Sequence, residues 1–133
     1  MPLELSIVTP EAEAVKVTCD EVTAPGKNGE IGLLPGHVPL ITVLRPGLLT
    51  VITGGKKTVY AVSTGYAEVQ GESVTVLTED CELGDNVDVD RARNDIREAE
   101  KALETLGEAD ADYGVHRTRL ERAQARLDAA STK

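Results

Sequence analysis

Four stretches of this 133-residue chain hold residue types that could do chemistry. GGKKT at 54–58 ends in the manner of a phosphate-binding loop. Such a loop needs a glycine five residues before its second glycine and a helix after it, but here Thr50 holds that position and an alternating KKTVYAVS follows. A two-residue turn between strands accounts for the glycines. DNVDVD at 85–90 alternates acids as a calcium loop does. The glycine required at the sixth position is Asp90, however, and the bidentate glutamate has no counterpart. Asp88 as the N-cap of a helix, with acids at the positive end of its dipole, explains the pattern. Neither stretch supplies catalytic residues or metal ligands, and no nucleophile with a base or pair of carboxylates stands out elsewhere.

The third stretch surrounds His37, between Gly36 and Val38, with no cysteine near it and no second histidine before His116. A histidine hydrogen-bonded in a turn is the simple reading. His116 falls on an apolar helical stripe, where a histidine is a packed edge residue. The fourth stretch holds Arg117, Arg119, Arg122 and Arg126 with only Glu121 among them, a local charge of about +3 on an acidic protein. These arginines could form a solvated helical face. Alternatively, their forked, always charged guanidinium groups could dock on an acidic partner surface or a nucleotide phosphate.

Composition narrows the field of partners. The formal net charge is -9, which repels nucleic-acid phosphates and anionic lipid. Phe and Trp are absent and Tyr occurs three times, so Val, Ile, Leu and Ala must build the core. Cys19 and Cys81 lie far apart with no metal-ligand spacing around them, which suits a reducing compartment. MPLELSIVTP has no basic segment ahead of an apolar one, and no apolar run reaches membrane-spanning length, so neither a signal peptide nor a transmembrane helix is expected.

The elements that must position these residues follow two grammars. Residues 1–86 carry 12 acidic and 5 basic side chains, while residues 87–133 carry 11 and 9 in about half the length. In the first part, LELSIV, AVKVTCDEV, LLTVIT, TVYAVS, YAEVQ and SVTVLT alternate like half-buried strands. Gly54-Gly55 and Gly71-Glu72 supply hairpin turns between them. Eight to ten short strands predict an antiparallel β-sandwich or flattened barrel. From Asp88 onward Val89, Ala92, Ile96, Ala99, Leu103 and Leu106 recur at helical steps, and Tyr113, His116, Leu120, Ala123, Leu127 and Ala130 repeat them after GEADADYG. The fold class is therefore α+β, a sandwich over 1–86 followed by a two-helix hairpin over 87–133. Both helical stripes are narrow and rich in alanine, so the hairpin should dock weakly on the sandwich and detach readily.

GEIGLLPGHVPLIT at 29–42 belongs to neither grammar. Pro35 and Pro39 remove two backbone donors and fix φ, which suits an edge or a connection better than a central strand. This stiff loop with Leu33, Leu34, Val38 and Leu40 is a candidate subunit contact, unless it folds its leucines inward.

Preceded by TAPGKNG and followed by RPGLLTV, this stretch resembles the signature of the ε subunit family of F-type ATP synthases, the counterpart of the mitochondrial δ subunit. VSTGYAEVQGESVTVLTEDCE resembles the family's second hallmark, and the helical tail has the family's length and place. The resemblance spans the whole chain. It implies a ten-stranded sandwich that binds the rotating γ subunit and meets the c-subunit ring, with Glu30, His37, Pro39 and Leu40 as contacts. It also implies that the hairpin alternates between a folded state and an extended one reaching the α/β catalytic head, where Arg117, Arg119, Arg122 and Arg126 would meet an acidic segment.

Some bacterial members bind ATP through a short motif that VDVDRA at 87–92 resembles in Asp88, Arg91 and Ala92, with Val87 departing at its first position. By the same resemblance Glu82 is a helpful upstream acid, and Arg122 and Arg126 complete the site. No cofactor is required on this reading, and ATP is a regulatory ligand. The implied role is a non-catalytic rotor subunit that couples proton flow to ATP synthesis and restrains hydrolysis, peripheral on the cytoplasmic side of a bacterial membrane. The alternatives are a free-standing β-sandwich adaptor with a helical partner-binding tail and a hydrolase centred on His37.

Overall fold

The computed structural model describes residues 2–132, the side chains of His37 and Val38 excepted. Ten strands come first: β1 (Leu3–Val8), β2 (Glu13–Cys19), β3 (Glu21–Gly26), β4 (Gly29–Gly32), β5 (Gly36–Leu44), β6 (Gly47–Thr53), β7 (Lys56–Val62), β8 (Gly65–Gly71), β9 (Ser73–Thr78) and β10 (Cys81–Leu83). A 3-10 turn at Gly84–Asn86 leads into helices α1 (Val89–Thr105) and α2 (Ala111–Ser131).

Strand order is β10-β7-β6-β3-β5-β8-β9-β1-β2, with β4 beside β3. The ladder narrows to the single pair Gly26 and Leu44 between β3 and β5, which divides it into two layers. Alternation along each strand turns Leu3, Leu5, Ile7, Val22, Leu44, Leu49, Val51, Val62, Val69, Val74 and Val76 into one shared interior, which Leu33 joins from the connection between β4 and β5. No helical residue belongs to that core among the described residues, so the sandwich is complete without its tail.

Three features depart from the sequence expectations. The sandwich is not wholly antiparallel: β1 pairs with β9 in parallel, Glu4 against Ser73 through Val8 against Leu77. Alternation reports burial and is silent on pairing direction. AVKVTCDEV is two strands rather than one, broken at Asp20, where the chain crosses from β1's layer to β6's. Asp20 holds that corner, its carboxylate accepting from the Gly54 N–H at 2.7 Å. The 29–42 stretch, read as a loop, forms β4 and the start of β5. Its prolines are accommodated because β5 pairs along its length only with β8, and because the register shifts between Gly36 and Leu40, a bulge in which Pro39 needs no donor.

The Gly54-Gly55 turn is a two-residue hairpin in which both glycines have positive φ, 57° and 79°. The hairpin turn expected of GGKKT is thus the one that forms.

Candidate functional site

Asp88 caps α1, its carboxylate accepting from the Arg91 N–H at 3.1 Å, and Asp110 does the same for α2 through the Asp112 N–H. The helices form an antiparallel hairpin. The stripe Tyr113, His116, Leu120, Ala123, Leu127 and Ala130 is half-buried or buried, and within the hairpin Ala92, Ala99 and Ala123 are fully enclosed. The Nδ1 atom of His116 is buried without a hydrogen-bond partner.

The second helix has another buried face that alternation did not reveal. Ala125 and Ala129 pack on Val59, Ala61 and Leu48, the outward residues of β6 and β7. Gly84 allows α2 to come this close, because a Cβ there would stand 2.5 Å from the Ala129 carbonyl oxygen.

Beside this seam the hairpin and β10 enclose a cleft of about 360 Å³, lined by Asp80, Glu82, Arg91, Asp95, Arg119, Arg122, Ala123 and Arg126. Arg126 donates from Nε to Glu82 at 2.7 Å and reaches Asp95 at 3.7 Å. Arg122 meets Asp80 at 3.4 Å, and Arg119 meets Glu98 at 2.6 Å and Asp95 at 3.9 Å. The hydrogen bond to Glu82 holds the Arg126 guanidinium above its usual basicity despite partial burial. Burial, with Asp80 and Glu82 on either side, pushes the Cys81 thiol up to about 11.

Of the residues expected to hold ATP, Glu82, Arg91, Arg122 and Arg126 line this cleft together. Asp88 spends its carboxylate on the helix cap, and Ala92 is fully buried. Arg119, expected only as part of the basic cluster, and Ala123 of the helical stripe also line it, while Asp80 and Asp95 went unnoticed in the sequence. For Asp95 a signal existed, since it stands four residues after Arg91 and so on the same helical face. The basic tail also reads differently in three dimensions. Arg117 pairs with Glu121 along the exposed surface at 3.4 Å, while Arg119, Arg122 and Arg126 face carboxylates from α1 and the β10 region. The local +3 counted along the chain is therefore neutralised in the folded hairpin.

The expected subunit contacts do not form one cluster. Glu30 is exposed on β4 and lines a larger cleft of about 620 Å³ between sandwich and hairpin, with Arg45, Leu48, Ile96 and Leu120. Pro39 and Leu40 are exposed on β5, and the His37 side chain lies outside the described residues. A different surface stands out. Val43, Tyr66, Leu77 and Val8 are cross-strand neighbours in one row across the outer face of β5, β8, β9 and β1. Val43, Tyr66 and Leu77 are 54%, 52% and 41% exposed, and Ile41 beside them 68%. Such a contiguous apolar row on a domain with a filled core is the kind of surface that marks interaction sites in soluble proteins.

The β-sandwich domain of the ATP synthase delta/epsilon chain matches residues 2–84, and the long α-helix domain of the same chain matches residues 85–131. The ATP synthase epsilon chain of Anaeromyxobacter dehalogenans strain 2CP-1 is 42% identical over 130 residues, covering 98% of both chains. That of Geobacter sulfurreducens is 41% identical over 128 residues, 96% of this chain and 93% of the relative. A chain in the cryo-EM structure of the Euglena gracilis mitochondrial ATP synthase OSCP/F1/c-ring has a TM-score of 0.81 at 25% identity, covering 98% of this chain and 82% of its own. A chain from the Tetrahymena thermophila central stalk and c-ring, at 15% identity and a TM-score of 0.59, shares the fold.

Proposed function

The chain belongs to the delta/epsilon chain family of ATP synthases, and from that premise we propose that it is a non-catalytic rotor subunit, docked by its sandwich and regulating by its hairpin. The observation that carries this reading is the division of surfaces. The apolar row Val8, Leu77, Tyr66 and Val43 lies on one outer face of the sandwich, and the hairpin packs on the other, against β6 and β7. A stable platform can thus stay bound through one face while the opposite face releases its cover.

The row docks on the γ subunit of the central stalk. Its filled, preordered strands lose little entropy on binding, which favours a contact that must not slip under torque. Leu34 and Leu40, 71% and 44% exposed, extend the apolar surface toward the c-subunit ring. The chain then sits at the membrane as a peripheral protein on the cytoplasmic side, consistent with the finding that no helix among the described residues is long and apolar enough to cross a bilayer. When the hairpin opens, Arg119, Arg122 and Arg126 lose their internal carboxylates and become a basic face for the α/β catalytic head. ATP favours the folded state by placing its phosphates among Arg91, Arg122 and Arg126, where it must displace Glu82 and Asp80.

Replacing Tyr66 or Leu77 by Asp buries a carboxylate at the centre of the proposed contact, and should weaken binding to isolated γ by at least about tenfold, measured by titration calorimetry. Unchanged affinity would remove this face from the interface. In a reconstituted α/β/γ complex, the intact chain should lower ATP hydrolysis and residues 1–86 should bind without lowering it. Equal inhibition by both would exclude the hairpin as the regulator.

A further inference from the structure

We propose that Arg122 with Asp80 and Arg126 with Glu82 form a two-step ion-pair zipper that sets the register of α2 on the sandwich and latches the hairpin closed without any bound ligand. The inference rests on the folded hairpin and is independent of the nucleotide reading. Arginines four apart on a helix are separated along its axis by roughly 6 Å. Carboxylates two apart on an extended chain are separated by roughly 6.6 Å and point to the same side. The two repeats match, and the pairs run in the same order along both elements, Arg122 on Asp80 and Arg126 on Glu82.

Arg126 is the anchor. It binds Glu82 at 2.7 Å and reaches Asp95 of α1 at 3.7 Å, so a single guanidinium joins β10, α1 and α2. Its side chain is 21% exposed and those of Glu82 and Asp95 are each 29% exposed, dry enough to strengthen the pair and wet enough to leave it sensitive to salt. Such a device has work to do here because the seam alongside it is Ala125 and Ala129, whose methyl groups interlock shallowly with β6 and β7. Directional charge pairs supply the registry that alanines cannot.

A double-mutant cycle on the full chain, free of nucleotide, tests the zipper by amide hydrogen exchange of α2, with strands β1–β9 as the internal control for folding. Glu82→Gln and Arg126→Gln should each speed exchange in α2 about tenfold, the double variant should add little to either, and 1 M salt should bring the parent chain toward them. Asp80→Asn at the more exposed pair, which keeps an oxygen able to accept from the Cys81 N–H, should give a smaller acceleration of the same kind. Exchange in α2 that is unchanged in Glu82→Gln and Asp80→Asn, or single effects that add fully in the double variant, would overturn the proposal.

Discussion

The interior of the sandwich is filled by Leu, Ile and Val side chains, with Leu5, Ile7, Leu33, Leu49 and Val76 wholly enclosed, whereas the seam beneath α2 is closed by Ala125 and Ala129 against Val59 and Ala61. Both regions exclude water, but they remove different amounts of apolar surface from it. Each buried methylene contributes about 0.8 kcal/mol, so a leucine core locks where an alanine seam only rests. The partition of large and small residues teaches how one short chain can hold a permanent platform and a releasable arm. The ion pairs at α2 belong with the arm, because charge contacts at a partly exposed seam can be exchanged for others when it opens.

That contrast can be broken most forcefully from the core side. Leu5→Ala should destabilise the sandwich by about 2–5 kcal/mol, lowering the urea midpoint of strand unfolding. Gly84→Ala should act on the arm instead. Its new methyl would press on the Ala129 carbonyl and favour hairpin opening by about 1–3 kcal/mol, seen as faster α2 exchange with the strand midpoint little changed. If Gly84→Ala lowered both together, the two regions would be one cooperative unit. The smallest effect is a sharpening one, at Cys81. A thiol whose basicity is raised in the folded state adds stability in full below its ordinary value of 9.0. That contribution is lost as pH climbs through about 11, so the β10 end of the sandwich should weaken between those values. Alkylation of Cys81 should rise with a midpoint near 11, falling toward the ordinary value in Glu82→Gln because one of the neighbouring charges is gone.

Much of this was legible because single-strand patterns report burial directly. LELSIV and SVTVLT coincide with β1 and β9, and the helical steps after Asp88 place both helices and the cap of the first. Pairing was less legible. Nothing in LELSIV tells that it lies parallel to SVTVLT, since direction is decided by how the whole chain closes. The prolines of 29–42 hid β5, whose bulge and nearly free edge make them harmless. Within the cleft, the arginines were visible as a run on one helix, but the acids that neutralise them come from α1, from β10 and from the approach to it, 21 to 44 residues away. Contacts of that kind depend on tertiary packing. The second face of α2 was hidden for another reason: Ala125 and Ala129 read as ordinary helix formers, and only Gly84 opposite them marks a close approach.

The central claim is that the hairpin opens while the sandwich stays folded. Native-state hydrogen exchange across a urea series tests it most directly. The account predicts that the α1 and α2 amides exchange through an opening with a low free energy and a shallow urea slope, well separated from the isotherm of the core strands. Helix and strand amides that merge on one isotherm, with the same free energy and the same slope, would contradict it.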